Sequence, residues 1–408
     1  MSAVREASTV KIAGGSRFRE LWPLDPEIDF LNHGSFGSCP FQVLEEQSEL
    51  RMLLEREPIR FLDNELERRM DDARSVLAEF LGGRAEDLVF VPNATAGVNA
   101  VVRSLEFGPG DELLTTDHEY NACANVLRFV AERTGAKVVT AHIPLPIRDP
   151  GEVTQRILDC VTPRTRLALV DHVTSPTGLI FPIEEIVPAL NERGVDTLVD
   201  GAHSPGLTPI DLDGLGAAYY TGNCHKWTCA PKGAAFLHVR SDRQHLIRPH
   251  IISHGHNTPR TDRSKFQIEF GWTGTGDPSA MLCVPGALRF MEGLLEGGWP
   301  AVMEANRALA LRAREIVGAA LGVEPIAPES MIGPMASFVL PDHDGEPVMP
   351  PIRFDPLKIA LEREHRIQIP IFPWPQHPKR MIRLSAQLYN DLGQYDRLAA
   401  ALRTLLGR

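Results

Sequence analysis

Between residues 88 and 239 the chain returns again and again to short apolar runs: "LVFV", "DELLTT", "AKVVTAHI", "TRLALVDHV", "DTLVDGA", "AAYYTG" and "GAAFLHV". Each is long enough for a buried strand and too short for a helix. Helical patterns such as "NACANVLRFVAERTG" and "EEIVPALNERG" separate the earlier runs. A helix between two buried strands carries the chain back across the sheet, so the strands run parallel with helices on both faces. The expected fold is therefore α/β, with a mostly parallel sheet flanked by helices. "GAAFLHV" follows "NCHKW" with no helix between them, so this last strand is expected to return antiparallel.

A chain of 408 residues is too long for one ordinary core, and two packed units are expected. Residues 41–82 read as helices interrupted near Pro58. After residue 280 two long helical patterns lead to strand candidates "MASFVL" and "MIRLSAQ" and a final helix, "QYDRLAAALRTLLG". The expected organisation is an arm over residues 1–30 packed on the smaller part, a large domain over 31–285, and a small C-terminal α+β domain over 286–408. A formal charge of −11 argues against nucleic acid and against an anionic membrane surface. No run has the length of a membrane span, and "MSAVREASTVKIAGGSRFRE" offers no signal-like apolar segment. Six irregularly spaced cysteines suggest inert thiols in a reducing compartment, and the cytoplasm is expected.

In open α/β sheets, ligands bind beyond the carboxyl ends of the strands. Polar groups cluster at those ends: Asn93 to Thr95, His118 to Tyr120, Asp171 to Ser175, Asp200 to His203, and His225 with Lys226. Any one alone is an ordinary turn or helix cap; together they define one rim. "NATAGVN" places small residues and a hydroxyl at a helix start, where free N–H groups suit a phosphate. "GTGDPS", by contrast, opens no βαβ unit and is no dinucleotide fingerprint. Lys226 follows an apolar strand and precedes Trp227. Burial there favours the neutral amine, which condenses with a carbonyl. Asp200, at a neighbouring strand end, is suited to hold a pyridine nitrogen protonated, which is what makes pyridoxal phosphate (PLP) an electron sink.

With "FLNHGSFGSCP", "TDHEYNA", "HVTSPTGLI", "VDGAHSPG" and "NCHKW", the chain resembles the class V aminotransferase family of fold-type I PLP enzymes, and within it the isopenicillin N epimerase-like branch. The resemblance implies that Lys226 carries PLP as a Schiff base and that Asp200 pairs with the ring nitrogen. It implies that His203 bonds the phenolic oxygen, that Tyr120 stacks on the ring where many relatives have His, and that Ala94, Thr95, Asn223 and His225 hold the phosphate. Thr275 is expected to reach the phosphate of a second subunit, in a homodimer with shared active sites. Arg383 is expected to clamp the substrate carboxylate, with Asn32, His33 and Ser175 on the substrate side.

The expected reaction is epimerisation or racemisation at an amino-acid α-carbon. Lys226 is then the base, and His33 and Tyr120 are candidates for the acid on the opposite face. A carbon–sulfur lyase and an aminotransferase are the alternatives. A persulfide-forming desulfurase is disfavoured, because no cysteine follows Cys283. No metal site is expected; the remote alternative is a zinc enzyme using His250, His254 and His256.

Overall fold

The computed structural model describes residues 16–350 and 352–407; the first half of the expected arm lies outside the described residues. In chain order the strands are β1 (Asp29–Phe30), β2 (Leu88–Val91), β3 (Glu112–Thr116), β4 (Lys137–Ala141), β5 (Thr165–Asp171) and β6 (Asp196–Gly201). They continue with β7 (Tyr219–Asn223), β8 (Ala235–Val239), β9 (Met335–Leu340), β10 (Ile367–Gln368), β11 (Ile371–Pro373) and β12 (Arg380–Ser385).

Seven strands form the main sheet in the order β2-β8-β7-β6-β5-β3-β4. Strands β3 to β7 pair parallel, and β8 runs antiparallel to both its neighbours. The missing helix after Lys226 explains that reversal, because without a crossover the chain can only fold back beside β7. Both faces are covered. Leu198 of β6 packs with Leu167, Tyr219 and the helices Ala94–Ser104 and Asn121–Thr134, while its neighbour Val199 packs with Tyr220, Phe236 and Val187 on the other side. Two-sided burial is why the strands read as continuous apolar runs and not as alternation.

The smaller part is built on β11-β12-β9, an antiparallel sheet, with the helix Leu392–Leu405 held at its start by an Asp391–Gln394 capping box. Its core joins Leu31, Ala310, Phe338, Ile382, Leu384 and Tyr395. The described part of the arm reaches this region: β1 pairs parallel with β10, and Asp29 accepts from Arg397 at 2.7 Å. The expected boundary at residue 285 falls inside a helix, Val284–Glu292, whose buried side packs on the main-sheet core. The long helix Gly298–Leu321 bridges the two cores, with Trp299 and Val302 in one and Ala310 to Leu321 in the other. A break in helical texture therefore does not coincide with a break in packing.

Candidate active site

The rim read from the sequence is a real place. The carboxyl ends of β3, β5, β6 and β7 bring Tyr120, Ser175, Asp200, His203 and Lys226 to one side of the sheet. Lys226 Nζ lies 3.0 Å from His203 Nε2. Burial, with help from the Arg383 charge and against Asp200, pushes the Lys226 amine down to about 7. Much of it is then neutral at physiological pH, which is the form that adds to a carbonyl. Asp200 is 2% exposed; its Oδ1 accepts from Ala202 N–H at 2.9 Å and its Oδ2 from the Cys123 thiol at 3.2 Å. Burial raises the Asp200 carboxyl, although those two hydrogen bonds favour its charged form.

The turn that carries Lys226 is fixed from below by the segment 31–40. At Gly37, φ is +67°, and a Cβ there would run into the His225 carbonyl oxygen; only glycine lets the two backbones come so close. His33 lies in the same seat. Its Nδ1 bonds the Tyr389 hydroxyl at 2.8 Å, its Nε2 bonds the Lys226 carbonyl at 2.9 Å, and its ring packs 4.8 Å from Trp227. Fully buried with both nitrogens engaged, His33 presents no acid to a substrate; the expectation that it serves as a proton donor is corrected. Asn32 accepts from the Ser35 hydroxyl at 2.5 Å.

Arg383, on β12, enters the same site and is 3% exposed. It donates to the Ser175 carbonyl and, at 3.4 Å, to Ser35 Oγ, while its Nε has no partner. Ser175 thus contributes its backbone to holding Arg383. Among the described residues no carboxylate stands within ion-pair distance of Arg383. Burial alone lowers its guanidinium to about 10. A buried cation without its anion costs several kcal/mol, and a ligand carboxylate removes that cost.

At the start of the helix Ala94–Ser104, Asn223 Oδ1 accepts the Ala94 N–H at 2.9 Å, and Asn93 caps Ala96 N–H at 2.8 Å. Ala94 therefore offers no free donor, and the phosphate-binding capacity expected there falls to Thr95. Gly97 lets this helix press on β7, because a Cβ would collide with Thr221. His225 Nδ1 donates to the Ala234 carbonyl, 3.0 Å away, and burial lowers its ring to about 4. Tyr120 begins the helix Asn121–Thr134 and is 46% exposed; partial burial, Cys123 and Asp200 all raise its phenol. Thr275 is apart from the others, on an exposed loop. The three histidines His250, His254 and His256 are all exposed, His256 turns to Glu269 at 3.3 Å, and they form no ligand cluster among the described residues, which removes the support for the zinc alternative.

Sequence reading gives Glu119 and Asp171 only places on the rim and passes over Cys123 as a functional group. Glu119, Cys123 and Asp200 converge, all buried, with Asp171 beside Asp200 in register. Three acids at the ends of adjacent strands are the available signal.

The fold is that of a PLP-type enzyme, and comparison with known proteins agrees. A model of the aminotransferase class-V family matches residues 42–398. The chain belongs to that family of PLP-dependent enzymes. It is 35% identical over 401 residues to the isopenicillin N epimerase of Amycolatopsis lactamdurans, covering 95% of this chain and 97% of that protein. It is 27% identical over 414 residues to an L-cysteine desulfhydrase of Arabidopsis thaliana, covering 92% and 87%. A mutant of C-DES with glycine covalently linked to the PLP cofactor shares the fold, with a TM-score of 0.79 at 22% identity over 94% of this chain and 98% of that one. The state of these groups fits the cofactor: His203 Nδ1 is buried and orphaned, the Lys226 amine is largely neutral, and Asp200 has no basic residue in ion-pair contact among the described residues.

Proposed function

We propose that this chain removes and returns the α-proton of an amino acid and inverts the configuration at that carbon. The observation that carries the reading is the placement of a largely neutral, buried Lys226 amine near the Asp200 carboxyl and near an Arg383 that no carboxylate pairs among the described residues. In this reading Lys226 tethers PLP, Asp200 faces the ring nitrogen, His203 faces the phenolic oxygen and Tyr120 covers the ring. Thr95, Asn223 and His225 hold the phosphate. When bound, PLP supplies the electron-accepting ring that makes the α-proton removable.

The chain's own groups do the rest. Arg383 clamps the α-carboxylate through its planar fork, which fixes the Cα–H bond relative to Lys226. Lys226 Nζ takes the proton on one face. Tyr120, held protonated by partial burial, donates at its hydroxyl from the other. Candidate L-amino acids are incubated in heavy water and read for Cα deuterium and chirality. Deuterium with inversion is expected; retained configuration without exchange overturns the reading.

Similarity to the L-cysteine desulfhydrase supports a second reading, β-elimination with release of a thiol or sulfide. It uses the same proton removal, and thiol release in the same incubation selects it. A keto acid formed only with an amino acceptor selects transamination. The absence of any cysteine after Cys283 continues to disfavour a persulfide relay.

A homodimer with shared active sites is part of the proposal. Thr275 lies on an exposed loop beside a groove of about 390 Å³ lined by Leu62, Met70, Pro92, Ile251 and Trp272. Ile59, Ile251 and Ile252 are exposed in the single chain. All six cysteines are free thiols, which supports a reducing compartment such as the cytoplasm. No helix of the described residues is long and apolar enough to cross a membrane.

A further inference from the structure

The rim of the main sheet opposite Lys226 holds a histidine that the fold leaves without a partner. His238 is on β8, opposite Leu88 of β2 on one side and Tyr220 of β7 on the other. Its sequence neighbours Leu237 and Val239 pack with the helices Ala94–Ser104 and Asn121–Thr134. Alternation along the strand therefore turns His238 to the other face, the side of Phe236, Tyr220 and Leu212. His238 is 3% exposed, yet neither ring nitrogen has a hydrogen-bond partner among the described residues. Burying polar atoms in that state is costly unless a ligand engages them.

Two carboxylates converge on that ring. One ring nitrogen of His238 and one oxygen each of Asp87 and Asp213 lie within 4.8 Å of one another. Asp87 ends the turn before β2 and is 2% exposed; Gln244 Nε2 donates to its Oδ1 at 2.6 Å, which fixes its direction. Asp213 comes from the short helix Leu212–Leu215, where the N–H groups of Leu212 and Asp213 donate to the Leu81 and Gly82 carbonyls, each at 3.0 Å. The Asp213 side chain is exposed and gives the cluster an opening to solvent. Burial, with Arg84 and Arg240, lowers the His238 ring to about 4, so it is neutral, the form that ligates a metal. Arg240 is engaged elsewhere, donating to Asp242 at 2.7 Å and to the Gly216 carbonyl at 3.0 Å. Arg84, paired with Asp87 Oδ2, also faces Asp213 and Glu86. Three carboxylates against one arginine leave an excess of negative charge that a divalent cation balances.

We propose that Asp87, Asp213 and His238 bind a divalent transition-metal ion of the zinc type, which ties the edge pair β2–β8 to the helix Leu212–Leu215 on the rim away from Lys226. An imidazole nitrogen with two carboxylate oxygens suits zinc, and the open side leaves a position for water. Magnesium, which takes oxygen ligands in a near-ideal octahedron, is poorly served by an imidazole. Arg84 is the competitor: the ion displaces its half-exposed guanidinium from Asp87 Oδ2, while Gln244 keeps its hold on Oδ1. The three ligands come from separate segments of the chain, which is why no spacing in the sequence suggests them. The site does not rest on the PLP reading.

The test strips the PLP-loaded enzyme of metal with a chelator and titrates it with Zn²⁺ alone, wild type beside D213N, H238Q and R84Q. Wild type is expected to bind one Zn²⁺ per chain and to melt at a higher temperature with it, while the cofactor's visible absorption stays unchanged. D213N and H238Q are expected to weaken binding about 10²-fold or more, since even the outer partners of a metal site are worth up to that much. R84Q is expected to bind about tenfold more tightly, because a competing unit charge a few ångströms away is gone. Opposite signs from neighbouring substitutions are what a merely buried histidine does not produce. Zinc bound equally by wild type, D213N and H238Q lies elsewhere, among the thiols or the exposed histidines, and overturns the proposal. Wild type that zinc does not stabilise overturns it, and so does Mg²⁺ that stabilises as well as Zn²⁺. Zinc that alters the cofactor's absorption is at the PLP site and counts against it equally. Asp213 is exposed, so D213N decides the matter if H238Q does not fold.

Discussion

Strand β6 carries an aspartate near each end, and the two have opposite surroundings. Asp196, at the amino end, accepts from Arg243 at 2.7 and 3.1 Å. Asp200, at the carboxyl end, has no arginine or lysine in ion-pair contact among the described residues. The contrast extends across the sheet. At the amino rim Glu112 pairs with Arg164, and Asp87 with Arg84. At the carboxyl rim Glu119, Asp171 and Asp200 are buried with no lysine or arginine in ion-pair contact, and Arg383 meets no acid, among the described residues. Partly exposed pairs like Asp196–Arg243 are worth about 1 kcal/mol or less. Buried groups without counter-ions cost several, so their persistence marks the end of the sheet that waits for a ligand.

The sharpest way to break that contrast is at its centre. Lys226→Ala is expected to abolish the cofactor adduct and lower turnover by at least about 10⁴-fold, with the melting temperature nearly unchanged. Steady-state rates, together with borohydride reduction and peptide mapping, check it; an adduct on another lysine refutes the assignment. Next come the two ends of β6. Asp200→Asn is expected to lower turnover on the order of 10²-fold, as loss of one preorganised electrostatic partner does. Asp196→Asn should cost about 1 kcal/mol of stability and no turnover. Equal effects on turnover erase the distinction between the rims.

Arg383→Ala is expected to raise KM for a free amino acid by about 10²-fold with a smaller change in kcat. An amide-capped substrate that binds wild type as well as the free acid counts against the clamp. The smallest effect is in pH. Because the Lys226 amine is pushed down to about 7, its reactive neutral fraction grows as pH rises through that value. PLP capture by the apo-enzyme should accelerate about fivefold from pH 6 to 7 and less than twofold from 7 to 8. A rate that keeps climbing tenfold per unit to pH 10 means an amine with an ordinary lysine pKa.

The strands and their polar ends were legible because burial on both faces leaves a plain apolar run, and the first polar residue after it marks the rim. Asp200 and Lys226 could be named on those grounds and by family likeness, Arg383 by family likeness alone. The convergence of Glu119 with Cys123 and Asp200 was not legible, since it depends on β3, β5 and β6 being neighbours in the sheet, an order that no local pattern encodes. His33 misled for the opposite reason. A histidine at the edge of a glycine-rich segment looks like an active-site group, but the Tyr389 hydroxyl and the Lys226 carbonyl, both distant in sequence, claim its two nitrogens. The expected boundary at residue 285 lies in the helix Val284–Glu292, which packs on the main-sheet core although its sequence texture resembles that of the long helix Gly298–Leu321.

The meeting of Gly37 with the Lys226 turn ties segment 29–37 to the middle of the chain, and the pairing of β1 with β10 and of Ser35 with Arg383 ties it to residues 367–383. A ribosome therefore emits the lysine and its aspartate long before the arginine that completes the pocket. A nascent chain that has not yet reached Arg383 therefore lacks, in the proposed reading, the group that clamps a substrate carboxylate.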